Sequence, residues 1–265
     1  MSNLLTTGIL QQIKNNVKVY LIDLYPTAKF AYSLRKLKST VTNVIEVRRS
    51  GDDALSDFTE TQILDGTLTA WVIAGGGTQM GYVRSWYDQT GNGFTLGQTV
   101  NALQPVIVDS GVLVTDGAKP AVYFNTSSYM KTTVATVFSQ PNHNFVVTDI
   151  IVEGYIYAGK SDRNDYYTLG RNYAGLTLTS SRVRTGKHID NSLFNGASSV
   201  IRQDGAQVGF GNVGTQGLSE LHFNTRASNI TGNAEQYLQE FISWDDRTAD
   251  ELVIEADMNA YYVVY

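Results

Sequence analysis

The densest grouping of side chains able to contact a ligand lies in Trp86-Tyr-Asp-Gln-Thr-Gly-Asn-Gly93, where an indole, a carboxylate and an amide fall close together. An aromatic face beside short polar side chains is the chemistry of a sugar platform, which makes Trp86, Asp88 and Asn92 candidate glycan contacts. Trp86 shares strand phase with Arg84, and this reading needs one ring face half exposed. The same spacing fits a structural loop. Asp88 and Asn92 would then accept backbone N–H groups in an Asx-type turn, Gly91 and Gly93 would supply positive φ, and Trp86 would be core.

Other chemistries find little support. The chain has no cysteine, which removes disulfides, thiolate zinc sites and a cysteine nucleophile. His143, His188 and His222 are scattered without His-x-x-x-His spacing and argue against a histidine metal site. No Gly-x-Ser-x-Gly elbow is present. Gly75–Gly81 is glycine-rich, but no strand leads through it into a helix as a phosphate cradle requires. The acidic groups Asp52-Asp53, Asp162 with Asp165, and Asp245-Asp246 read as solvated turns. Calcium is the one ion such oxygen-rich loops would take, and no other cofactor is expected.

The elements that must position these residues are mostly strands. Val, Ile and Thr make up 67 of the 265 residues, Tyr, Phe and Trp a further 29, and charged residues only 17%. Both uncharged classes suit a pleated, half-buried surface. From Tyr82 onward short runs alternate with turn residues: Tyr82–Tyr87, Val106–Val108, Val112–Val114, Ala121–Phe124, Phe145–Val152, Tyr155–Ala158, Tyr166–Leu169, Leu176–Val183, Ser199–Arg202, Gln207–Phe210, Leu218–Phe223 and Tyr237–Trp244. Asp109-Ser-Gly111, Asp116-Gly117, Asn195-Gly196 and Asp204-Gly205 mark turns between them. That count exceeds a seven-strand immunoglobulin module and predicts an all-β, two-sheet jelly-roll sandwich.

Few helices are expected. Phe30, Leu34 and Leu37 share one face of a helix over 27–38 with Arg35, Lys36 and Lys38 facing out. A strand follows at Ile45–Arg49, then a helix over 63–74 that stops at Gly75-Gly-Gly77. Thr248 and Glu251 have capping-box spacing before a C-terminal helix whose apolar face is Leu252, Val253, Ala256 and Ala260. Leu4, Leu5, Ile9, Leu10 and Ile13 form an apolar helical stripe in residues 2–16. It fits either a cap on the sandwich or an arm that docks on a neighbouring protein, and gives a division into an arm (1–20) and a β domain (21–265). With the second role, deleting residues 1–18 leaves a cooperative thermal transition and weakens assembly; loss of that transition would make the stripe core.

Net charge is −5 with no run of about five like charges, which speaks against nucleic acid as a partner. Runs such as Val19–Leu24 and Phe145–Val152 fall short of the roughly 20 apolar residues of a spanning helix, so no membrane insertion is expected. No positive n-region precedes an apolar core at the start.

Leu24-Tyr-Pro26, Ala31-Tyr-Ser-Leu-Arg-Lys-Leu37, Ile45-Glu-Val-Arg-Arg-Ser-Gly-Asp-Asp53, Ser85-Trp-Tyr-Asp-Gln-Thr-Gly-Asn-Gly93 and Gln104-Pro105 together resemble the catalytic-domain family of fungal α-L-arabinofuranosidase B. The signature is also similar to concanavalin A/laminin G-like domains of phage tail and virion proteins. The match is specific over residues 21–125, weaker from there to Tyr265, and implies a concanavalin A-like jelly roll.

The resemblance implies a retaining glycosidase site, which needs two carboxyl groups about 5–5.5 Å apart. It sets Lys187-His-Ile-Asp-Asn-Ser-Leu-Phe-Asn-Gly-Ala197 over the family's nucleophile segment, with Asp190 at the nucleophilic glutamate, Asn191 at its substrate-contacting neighbour and His188 beside them. Aspartate retracts the attacking oxygen by about a bond length, and misplacement of about 1 Å can cost on the order of 10²-fold in rate. The acid/base position falls on Ser228-Asn229, and a serine hydroxyl cannot protonate a leaving oxygen as a carboxylic acid does. Glu220, Glu235 and Glu240 are the nearby carboxylates that a shifted alignment would use. The family's vicinal cysteine pair is missing.

The expected function is therefore a non-enzymatic phage virion protein of the tail or capsid surface, structural or adhesive, assembled in the host cytoplasm. Its partners would be other virion proteins, further copies of itself and a host surface glycan, the last bound through Trp86, Asp88, Asn92, His188, Asp190 and Asn191. An arabinofuranosidase-like retaining hydrolase is the alternative, and a purely architectural protein that binds no sugar a third reading.

Overall fold

A computed structural model describes residues 18–132, 137–159, 165–167, 171–226 and 233–265. The arm residues Leu4, Leu5, Ile9, Leu10 and Ile13 lie outside them. The principal strands are β1 (Phe30–Ser33), β2 (Asn43–Arg49), β3 (Leu55–Thr59), β4 (Gly81–Trp86), β5 (Val106–Asp109), β6 (Val122–Phe124), β7 (Asn142–Val152), β8 (Tyr155–Ala158), β9 (Gly186–Phe194), β10 (Ser199–Gln203), β11 (Ala206–Gly211) and β12 (Glu235–Trp244). The helices are α1 (Leu21–Leu24), α2 (Glu60–Leu64), α3 (Thr67–Ala74) and α4 (Glu251–Tyr262).

Strand β12 is the spine, pairing with β7 along one edge and with β1 and β6 along the other. From β7 the antiparallel sheet continues through β9 and β10 to β11. From β6 it passes through β5, β4 and β2 to β3. Short strands carry it onward from β4 through Leu96–Gly97, Met130–Lys131 and His222–Phe223 to β8. The architecture is the expected all-β jelly-roll sandwich with a few short helices.

Two apolar cores use opposite faces of the same strands. Phe30, Tyr32, Trp86, Phe124, Val146, Phe223 and Phe241 fill the space inside the sandwich. Ala31, Phe145, Val147, Ile189, Ile242 and Trp244 point the other way, toward Ile254, Met258 and Tyr262 of α4. A strand covered on both faces carries no alternation of apolar and polar residues.

That double coverage explains the largest departure from expectation. Segment 27–38 is not a helix: Phe30–Ser33 is a strand with all four residues buried, and the three-and-four spacing of Phe30, Leu34 and Leu37 is incidental. Arg35, expected outside, is buried against Glu240. The helix over 63–74 is two helices, α2 and α3, separated at Asp65-Gly66, where Gly66 adopts φ +86°. Strand β9 was not expected, because Asp190, Asn191 and Ser192 are polar yet buried within it.

The C-terminal helix exists but starts later and turns a different face inward. The Thr248 hydroxyl donates to Asp246, so it does not cap the helix; Asp250 is the N-cap, without a side-chain bond. Leu252 and Val253 are exposed, whereas Ile254, Glu255, Met258 and Tyr262 are buried. No helix among the described residues is long and apolar enough to cross a membrane.

Candidate functional site

The loop after β4 is built around Asp88. Its Oδ1 accepts the N–H groups of Ala31 and Thr90 (both 3.1 Å), and its Oδ2 accepts the Thr90 hydroxyl (2.6 Å) and the Phe94 N–H (3.3 Å). Burial raises the Asp88 pKa, against these bonds, which lower it. Asn92 donates to the carbonyls of Ala28 and Lys29 rather than accepting. Gly91 and Gly93 have φ of +92° and +81°, as the turn requires.

Gln89 completes the clamp by accepting from Leu37 N–H (2.7 Å) and donating to the carbonyls of Ser33 and Arg35 (both 2.9 Å). The loop therefore fastens β1 and the turn after it. Trp86 is fully buried, packed against Tyr32 and Phe223, so no indole face meets solvent. Its position corrects the half-exposed ring of the platform reading. Nothing in the sequence marked Gln89, although the turn chemistry of Asp88, Gly91 and Gly93 was legible.

Asp190 lies in β9 opposite Val146 and faces the interior of the sandwich. It is 1% exposed. Its Oδ1 lies 3.0 Å from Arg182 Nε and accepts from Gln203 Nε2 at 3.3 Å. Arg182 also donates to Asn172 Oδ1 (3.0 Å) and Ser192 Oγ (3.3 Å). A cation at contact distance holds the carboxylate as an internal ion pair. Arg182 was not singled out in the sequence because it lies eight residues away, on no shared element.

Neighbours of Asp190 on the strand alternate in face and differ in role. Asn191 points to the opposite side and accepts from the His143 ring, whose other nitrogen accepts the Arg247 N–H at 3.1 Å. This pattern fixes the neutral tautomer with the proton on Nε2. Burial pushes the His143 pKa down to about 4, with the Asn191 bond and Asp246 opposing it and Arg202 and Arg247 adding to it. His188 bonds Asp204 (2.7 Å) and the Thr185 carbonyl (3.0 Å). Burial lowers the His188 pKa, but Asp204, Thr185 and Asp190 outweigh it and the net shift is upward. The structure thus distributes Asp88 and Asn92, Asp190, and Asn191 among separate hydrogen-bond networks rather than around one opening.

The remaining carboxylates also have their own partners. Glu240 takes both ends of the Arg35 guanidinium (2.7 and 2.9 Å) and the Tyr262 hydroxyl (3.0 Å), on the α4 side of the sheet. Asp190 and Glu240 therefore project from opposite faces and cannot share a glycosidic bond. Glu235 accepts the Tyr123 hydroxyl at 2.7 Å, and Glu220 lies 3.5 Å from His222. Ser228 and Asn229 lie outside the described residues. Among the described residues no group of three His, Asp or Glu side chains could hold a metal ion. Asp52 pairs with Arg49 and Asp245 with Lys29.

No family model matches the chain. No curated protein matches it either. Among solved structures it is similar to a variant GH54 α-L-arabinofuranosidase soaked with 4-nitrophenyl α-L-arabinofuranoside, at TM-score 0.65 and 13% identity, covering 92% of this chain and 65% of that one. It is also similar to an arabinofuranosidase complexed with arabinofuranosyl-α-1,2-xylobiose, at TM-score 0.64 and 12% identity over 92% and 64%. The chain thus spans slightly less than two thirds of the length of each. At such identity the likeness establishes the fold, a concanavalin A-like β-sandwich of the kind that these glycosidases use.

Proposed function

We propose that the chain is a non-enzymatic phage virion subunit, structural or adhesive, whose lectin-like sandwich packs against other virion proteins and further copies of itself and binds a host surface glycan. Asp190 carries the non-enzymatic part: at the position that the sequence resemblance gives the nucleophile, its carboxylate is 1% exposed and paired with Arg182. An attacking carboxylate must reach the anomeric carbon, and one neutralised inside the sandwich does not. The phage-like signature over residues 21–125 supports the virion assignment.

Two measurements test this. With 4-nitrophenyl α-L-arabinofuranoside the protein is expected to release no 4-nitrophenol above buffer; release abolished by Asp190→Asn in a still-folded variant would establish the hydrolase instead. Antibody against the chain should label intact particles, and particles that carry none of it would remove the virion assignment.

A further inference from the structure

We propose that the groove on the outer face of β2, β4, β5, β6 and β12 is the binding site for a neutral oligosaccharide; this rests on the glycan-binding part of the function above and supplies its site. The groove encloses about 910 Å³, beside the hairpin that follows β5. That volume lies in the upper part of the range of small-molecule sites. None of Trp86, Asp88, Asn92, His188, Asp190 or Asn191 lines it.

Its walls are aromatic and held in place. Tyr82, Tyr123 and Tyr237 are half-buried, and the rings of Tyr123 and Tyr237 lie 5.2 Å apart, tilted by 40°. The Tyr123 hydroxyl is tied to Glu235. The Arg48 guanidinium sits 4.6 Å from the centre of the Tyr82 ring and is itself fixed by Gln104 (2.8 Å) and Asp53 (2.5 Å). Asn101 and Asn125 line the groove from exposed positions.

A sugar ring offers an apolar C–H face and a rim of hydroxyls. Half-exposed tyrosine rings match the first, and amides with tyrosine hydroxyls match the second. The charge balance selects a neutral sugar: Arg48, the cation in the lining, is already paired with Asp53, and Asp109 adds a negative charge at the rim. A phosphate, sulfate or sialate would meet no free cation there. Because ring walls and guanidinium are fixed before a ligand arrives, little ordering cost opposes binding.

The full chain should be tested on an array carrying neutral oligosaccharides alongside sialylated and sulfated ones, followed by titration with the strongest neutral hit. Wild type is expected to bind neutral glycans, with affinity about tenfold weaker in Tyr82→Ala and in Tyr237→Ala and unchanged in Phe210→Ala, which alters an exposed ring outside the groove. Thermal unfolding checks that each variant is folded. Neutral binding that survives both tyrosine substitutions would overturn the groove and leave glycan binding standing. Binding only to anionic glycans would overturn the neutral class, and no binding by wild type would overturn groove and glycan binding together. The virion assignment is judged separately, by particle labelling.

Discussion

Replacing Arg35 with methionine is expected to cost about 3–5 kcal/mol of unfolding free energy, the range for stranding one member of a buried ion pair. Glu240 is fully buried and takes two hydrogen bonds from the guanidinium and one from Tyr262. Without Arg35 its carboxylate must either stay charged away from water or take up a proton. Arg35→Met/Glu240→Met removes the charge and the cation together, and should recover most of the loss. Urea unfolding at pH 7 measures both variants. A cost below about 1 kcal/mol for Arg35→Met would mean that water reaches the pair and that it is worth no more than a surface bridge. The pair joins the turn after β1 to β12 and, through Tyr262 and Asp257, to α4, so the loss should appear as one cooperative shift.

Acid should destabilise the fold through His143. Its folded-state pKa is about 4 against an ordinary 6.5, so the unfolded chain binds the proton more readily throughout that interval. Stability therefore falls as pH drops through 6.5 and levels off near 4, by about 3 kcal/mol for this residue alone. The His143→Gln variant should lose the excess sensitivity to acid that wild type shows between pH 7 and 4. An unchanged pH dependence in the variant would show that the imidazole is hydrated in the folded state. His188 works in the opposite sense. Its raised pKa means that its contribution is present below the unfolded value and is lost as pH rises through the folded one, so it offsets part of the His143 effect in wild type.

Much of the architecture was legible because turn chemistry is local. Asp109-Ser-Gly111 and Asp204-Gly205 close the hairpins β5 to Val112–Leu113 and β10 to β11, as their residue types require. Double-sided burial was not legible: β1 presents Phe30 and Tyr32 to one core and Ala31 to the other, so its short apolar run looks no different from part of a helix. Strand β9 was hidden for the complementary reason. Asp190, Asn191 and Ser192 read as surface until Arg182, from the segment before the strand, and His143, from β7, are seen to satisfy them.

The same limit applied to the candidate site. The Asp88 loop announced itself by spacing, yet its work is to fasten a strand. The tyrosine groove draws Arg48, Tyr82, Tyr123 and Tyr237 from four separate strands, and no window of sequence holds more than one of them.

Asp109 and Val112, on either side of the hairpin turn, border that groove while lying in neither apolar core, whereas Leu113 beside them packs against the inner one. Under the proposed glycan-binding role, drift at Asp109 and Val112 would alter what the groove's edge meets while Phe30, Trp86 and Phe241 stay packed as they are.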